Sequence, residues 1–134
     1  MNTFSLKIVT PDGVAYDGSA EELIVRTVTG DLGILAGHTN CVAPLGMGMA
    51  TVKVDGESRY GACIGGMVSV LNGEVKLVPT TFEWADKIDV ARAALSEEKA
   101  KQVISDKAVS DTELRLAEAK LKRALIRKSV AQYK

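Results

Sequence analysis

Residues 65–93 read GGMVSVLNGEVKLVPTTFEWADKIDVARA, and the change of character inside this stretch decides the fold. MVSVL (67–71) and EVKLV (74–78) alternate apolar and polar residues on either side of Asn72-Gly73. That two-residue period belongs to half-buried strands. The Asn-Gly pair accepts the positive φ of a tight hairpin turn. After Pro79 the pattern stops. From Thr80 to Lys134 there is no Gly and no Pro. Ala, Glu, Lys, Arg and Leu dominate instead, all good helix formers. The first 84 residues read as strands and those that follow as helices.

Toward the N-terminus the strand signals continue. Asp55-Gly56 separates ATVKV (50–54) from SRYGACI (58–64), a second hairpin. Phe4, Leu6 and Ile8 alternate with Ser5, Lys7 and Val9. The sequence Pro11-Asp12-Gly13 then breaks the run with residues suited to a turn. Glu22–Thr29 is rich in β-branched residues and reads as another strand. Ten of the twelve glycines lie between Gly30 and Gly73, so turns are frequent and strands short. The expected fold class is α+β: a small antiparallel β-sandwich over residues 1–84, then helices over residues 85–134.

Toward the C-terminus, Asp86 is the expected N-cap of a helix from about Lys87 to Ile104. Its apolar positions are Ile88, Ala91, Leu95, Val103 and Ile104. Small side chains at Ala91, Ala93, Ala94 and Ala100 admit a close neighbour. Ser105–Val109 is a polar break. Ser110 and Glu113 form a capping box for a second helix, with an apolar stripe at Leu114, Ala117, Leu121, Ala124 and Leu125. The short link predicts an antiparallel two-helix hairpin. Neither stripe is wide or aromatic. The hairpin is therefore expected to pack weakly on the sandwich and to exchange partners.

Composition narrows the function. Of the 134 residues 46% are hydrophobic, enough for a core, yet no apolar run reaches the ~18–20 residues of a membrane span. The start, MNTFSLKIVT, lacks the charged and apolar regions of a signal peptide. Membrane association is expected only through another protein. Cys41 and Cys63 stand far apart with no C-x-x-C, and read as two free, buried thiols in a reducing compartment. The net charge of zero conceals a split: residues 1–84 carry five basic and nine acidic side chains, residues 85–134 twelve and eight. From Leu114 onward seven basic residues face Glu118 alone. Such a split suggests two modules with different partners.

No enzyme is visible. His38 is the single histidine, without a G-x-S-x-G context, and reads as a loop-packing residue. One His and two distant Cys do not make a zinc site. Gly30, Gly33 and Gly37 lack the Lys of a phosphate loop and read as turn glycines. The basic helix lacks the aromatics that stack on nucleobases, so an acidic protein partner is expected and nucleic acid is not.

Five segments, in order, carry a resemblance: IVTPDGVAYDG (8–18), GDLGILAGHTNCVAPL (30–45), GGMVSVLNGEVKLV (65–78), KIDVARA (87–93) and the C-terminal LKRALIRKSVAQYK. Together they resemble the ε subunit family of bacterial ATP synthases over essentially the whole chain. Ala36 departs from the Pro usual before Gly-His in the family, a change expected to alter only loop stiffness. The resemblance implies a ten-stranded sandwich that docks on the γ subunit and the c-ring. It implies a mobile C-terminal hairpin that, extended along γ into the α/β catalytic head, inhibits ATP hydrolysis. The inhibitory basic helix would present Arg115, Lys120, Lys122, Arg123, Arg127 and Lys128. The protein would be a non-catalytic, peripheral subunit on the cytoplasmic side of the cell membrane.

The resemblance also implies a regulatory ATP site on the folded hairpin, with no cofactor required. Its motif is Ile88, Asp89, Arg92 and Ala93, joined by Glu83 and by Arg123 and Arg127 of the second helix. Spacings of three and four place Asp89 beside Arg92, and Arg123 beside Arg127. Three guanidinium groups suit a triphosphate. The two carboxylates suit ribose or adenine donors. Lys99 stands where the family has an arginine, keeping the charge but losing the planar fork. A freestanding ATP-binding sensor is the alternative reading.

Overall fold

The computed structural model describes residues 2–133. Ten strands form two five-stranded sheets packed face to face, and two helices follow. The strands are β1 (Phe4–Thr10), β2 (Gly13–Ala20), β3 (Glu22–Thr27), β4 (Gly30–Leu35) and β5 (Cys41–Pro44), then β6 (Met47–Val54), β7 (Glu57–Ile64), β8 (Met67–Leu71), β9 (Glu74–Val78) and β10 (Thr81–Trp84). The first sheet has the order β2-β1-β9-β8-β5, the second β10-β7-β6-β3-β4.

The expected turns are in place. Asp55-Gly56 and Asn72-Gly73 all have positive φ, the paired left-handed geometry that matches the twist of the strands they join. They close Val54 onto Glu57 and Leu71 onto Glu74. The Pro11-Asp12 turn is tied by the Asp12 amide donating to Thr10 Oγ1 at 3.1 Å. One pairing departs from the antiparallel expectation: β1 runs parallel to β9. No hairpin connects these two strands, so direction is free, and alignment of Leu6 and Ile8 with Val75 and Leu77 decides it.

The inward side chains of both sheets form the core. Leu6, Ile8, Leu23, Val25, Ile34, Val52, Val68 and Leu77 are all fully buried. Each sits at an alternate position of its strand, as the two-residue period requires. Cys41 and Cys63 are both free, the first half-buried and the second buried. Burial pushes the Cys63 thiol up to about 12, so little thiolate exists at neutral pH. Alkylation at about pH 8 is expected to label Cys41 in the folded chain and Cys63 only after unfolding. Mass spectrometry reads the difference; equal labelling of both in the native state contradicts it.

The helical part begins later than the sequence suggests. Ala85–Lys87 is one turn of 3-10 helix, and Ile88 is extended. The first helix, α1, spans Val90–Ser105, and its N-cap is Asp89, not Asp86. The physical reason is burial: Ala85 and Ile88 pack with Ala62, Val130 and Ala131 in a second small core, and a regular helix through Lys87 would turn them out. The second helix, α2, spans Asp111–Ala131. Its predicted cap is half-formed. Ser110 Oγ accepts from the Glu113 amide at 3.2 Å, but the Glu113 carboxylate makes no hydrogen bond among the described residues.

The two helices run antiparallel against each other, and the C-terminal turns of α2 sit on β6, β7 and the 3-10 turn. Val130, Ala131 and Ile126 make that seat. Tyr133 stacks on Tyr60 with centroids 4.8 Å apart. Trp84 lies at the joint, donating from its indole to the Ala15 carbonyl at 3.1 Å, with the Arg59 guanidinium 3.9 Å above its ring. No helix is long and apolar enough to cross a membrane among the described residues.

Candidate functional site

The inner face of the hairpin follows the predicted stripe on α2 except at Leu125, and departs from it on α1 at Ala91 and Leu95. On α1, Ala93, Glu97 and Ala100 are buried, whereas Ala91 and Leu95 are exposed. On α2, Ala117 and Ala124 are buried, and Leu125 is exposed. The buried alanines of both helices let the axes approach, while Leu95, Leu116 and Leu125 are left exposed. Glu97 is the exception, a carboxylate within the seam. Its Oε1 accepts from Lys128 Nζ at 2.6 Å and its Oε2 from Lys101 Nζ at 3.0 Å. This clamp fastens one edge of the hairpin.

The hydrogen bond from Lys128, then that from Lys101, holds the Glu97 carboxyl below its ordinary value of 4.5. A depressed folded-state value contributes stability that is present above about 4.5 and is lost as pH falls through the lower folded value. Glu97→Gln is expected to loosen the hairpin at neutral pH and to flatten that acid-side dependence. Hydrogen exchange of α1 and α2 amides against pH checks it; an unchanged profile contradicts it.

The opposite edge of the hairpin is an open groove of two adjacent cavities. The smaller, about 290 Å³, is lined by Glu83, Asp89, Arg92, Ala93, Ser96 and Arg127. β10 supplies Glu83, and α1 supplies Asp89 through Ser96. Asp89 is held by its capping role, its Oδ1 accepting from the Arg92 amide at 3.0 Å. Arg127 reaches across from α2, its Nε donating to Glu83 Oε1 at 2.7 Å. That pair pins the fork and joins the sandwich to the hairpin. The larger cavity, about 490 Å³, continues along the same seam past Lys99, Lys120 and Arg123. Ser96 and Arg127 border both.

Five of the residues singled out in the sequence thus meet in one cavity: Glu83, Asp89, Arg92, Ala93 and Arg127. Arg123 lies in the adjoining one. Ile88 does not line either; it is buried at 7% exposure in the small core, where it anchors the start of α1. Ser96 was missed, although it stands four residues after Arg92 and so on the same helix face. The basic helix is not a single cationic face. Lys120, Arg123 and Arg127 border the groove, Lys128 is tied to Glu97, and Arg115 and Lys122 are exposed. His38 is half-buried, with Nδ1 donating to the Thr39 carbonyl at 2.8 Å, a loop-ordering contact.

The groove is polar at the end near β10 and more apolar toward Val103 and Leu116. Carboxylates stand at the end near β10 and cations at the middle, in walls set by small alanines. It suits a ligand that offers hydroxyl or amine donors at one end and negative charge beyond them.

Residues 3–85 match the family model described as ATP synthase, Delta/Epsilon chain, beta-sandwich domain. The chain belongs to the ATP synthase delta/epsilon family. The ATP synthase epsilon chain of Bacillus velezensis is 40% identical over 131 residues, covering 98% of each chain. That of Ruminococcus albus is 40% identical over 135 residues and covers all of both. Among solved structures, a chain of the Euglena gracilis mitochondrial ATP synthase OSCP/F1/c-ring shares the fold with a TM-score of 0.82. It is 21% identical, and the match covers 95% of this chain and 80% of that one. As an epsilon-family chain the protein is a non-catalytic subunit of the ATP synthase central stalk. The ten-stranded sandwich followed by two helices is the architecture expected of the family.

Proposed function

We propose that the chain couples and regulates an F-type ATP synthase. In this reading residues 1–84 dock on the γ subunit and the c-ring, and residues 85–134 form a mobile regulatory hairpin. The complex holds the chain peripherally at the cytoplasmic side of the cell membrane. An uncovered apolar surface supports docking. Met67 and Val78 are paired neighbours on the outer face of the first sheet, exposed by 43% and 47%, with Val42 nearby at 67%.

ATP is the regulatory ligand of the folded hairpin. The observation that carries this is the groove itself, where Glu83 and Asp89 converge with Arg92 and Arg127 from three separate elements. The carboxylates take donors of ribose or adenine, and the guanidiniums take phosphate oxygens. Because the walls come from both helices and from β10, ATP binds the folded hairpin and not the extended one. Its differential affinity therefore sets the balance between them. Extended, the helix carrying Arg115, Lys120, Lys122, Arg123, Arg127 and Lys128 enters the catalytic head and inhibits hydrolysis.

Calorimetric titration of the full chain with ATP, with and without magnesium, tests the site. Saturable binding is expected at millimolar ligand or below. In the reconstituted complex, removal of the residues after Asp86 is expected to relieve inhibition of hydrolysis and to preserve assembly. Inhibition that survives the truncation sinks the regulatory role of the hairpin. A chain that binds ATP but fails to co-purify with γ would be a freestanding sensor instead.

A further inference from the structure

The groove is longer than the nucleotide reading uses, and its far end, like its near end, carries a carboxylate. At the near end the carboxylates of Glu83 and Asp89 stand beside Ala93. The middle is cationic: Lys99, Lys120, Arg123 and Arg127 border it. Of these, only Arg127 has an ion-pair partner among the described residues. Beyond the cations lies a second carboxylate, Glu113, beside an apolar floor of Val103 and Leu116. Glu113 is available because its half of the capping box is not made; only its amide is used, by Ser110. Leu116 is 60% exposed, a large apolar side chain left uncovered at that end. From Asp89 to Val103 the axis of α1 advances about 20 Å at 1.5 Å per residue.

From this arrangement we infer that the groove accepts a bis-nucleoside polyphosphate lengthwise. The inference rests on the nucleotide reading of the near end and extends it. One nucleoside lies at Glu83 and Asp89, as ATP would. The polyphosphate chain crosses the cations, where each added phosphate meets charge that is otherwise unneutralised. The second nucleoside lies over Val103 and Leu116, an apolar surface for its base. Glu113 accepts from its hydroxyl or amine donors. The order of carboxylate, cations and carboxylate in the protein matches the order of nucleoside, phosphates and nucleoside in the ligand. A mononucleotide satisfies only half of it.

The full-length chain is titrated calorimetrically with ATP, adenosine 5′-tetraphosphate and diadenosine tetraphosphate. The dinucleotide is expected to bind roughly tenfold tighter than adenosine tetraphosphate, the gain from one further hydrogen-bonded and packed group. Glu113→Gln and Leu116→Ser are each expected to cut that advantage by about fivefold or more, on the same contact arithmetic. Both residues lie on the exposed surface of α2, and Ser110 still caps the helix in either variant. If ATP binds but the dinucleotide binds no tighter than adenosine tetraphosphate, the second nucleoside subsite is overturned and the ATP reading stands. An advantage that survives both substitutions overturns it too. Failure of ATP itself to bind removes the near-end site, and with it this inference.

Discussion

Arg127→Ala is expected to lower ATP affinity by roughly 10- to 100-fold, the equivalent of one charge-assisted, forked contact of about 1.5–3 kcal/mol. Arg127 is the one guanidinium that borders both cavities of the groove. Its Nε is already committed to Glu83 Oε1, which fixes the plane of the fork before any ligand arrives. The terminal nitrogens remain for phosphate oxygens. Alanine removes the donors and also frees Glu83, whose unneutralised carboxylate then repels the phosphates. Arg127→Lys keeps the charge without the fork and should fall between the two. The Glu83–Arg127 pair is about one-quarter to one-third exposed, so its direct contribution to stability is at most about 1 kcal/mol. Thermal unfolding of the free protein should therefore move little while affinity falls. Unchanged affinity in Arg127→Ala would mean that the groove does not hold the phosphates.

Gly66→Ala is expected to be the most damaging single substitution in the sandwich, costing about 4 kcal/mol or more. Gly66 lies between β7 and β8, where the chain passes from one sheet to the other. It has φ +97, and a Cβ there would stand 2.0 Å from the Val78 carbonyl oxygen and 2.6 Å from Pro79 Cα. Both neighbours are backbone, so no side-chain rotation relieves the overlap. The backbone is also committed: Gly66 O accepts from the Leu45 amide at 2.8 Å, and Gly65 N donates to Gly46 O at 3.0 Å. Moving the chain away would break both bonds to the Leu45-Gly46 segment. Gly13→Ala isolates the other component. It has φ +128 with open space around the would-be Cβ, so only backbone strain of about 1–3 kcal/mol is expected. Urea unfolding of both variants measures the contrast. Equal midpoints would show that crowding at Gly66 is relieved elsewhere.

Much of the fold was legible in the chain because its signals are local. The Asp55-Gly56 and Asn72-Gly73 turns depend on two residues each. The strand alternation around them depends on neighbours two positions apart. Ser110 caps α2 through an amide three residues away. The Asp89, Arg92 and Arg127 site was legible for another reason: those residues stand in family segments quoted from the sequence, and their spacing places them on helix faces. Ile88 belongs to the same segment and has a different task, holding the start of α1 in the small core.

What the sequence determined by itself was therefore the run of strands, the switch to helix near residue 85, the charge division and the family. The tertiary structure alone decided which faces were covered. Periodicity says that Ala93, Glu97 and Ala100 share a face of α1, and that Ala91 and Leu95 share another. It does not say which of the two α2 will meet. Hydrophobicity favours the face with leucine. Close packing chose the alanine face, because small side chains let the helices approach and Lys101 and Lys128 neutralise the carboxylate taken in with them. The same holds for the parallel pairing of β1 with β9, and for Ser96 bordering both cavities of the groove. Each is set by groups distant in sequence meeting in space, a free energy that no local pattern encodes.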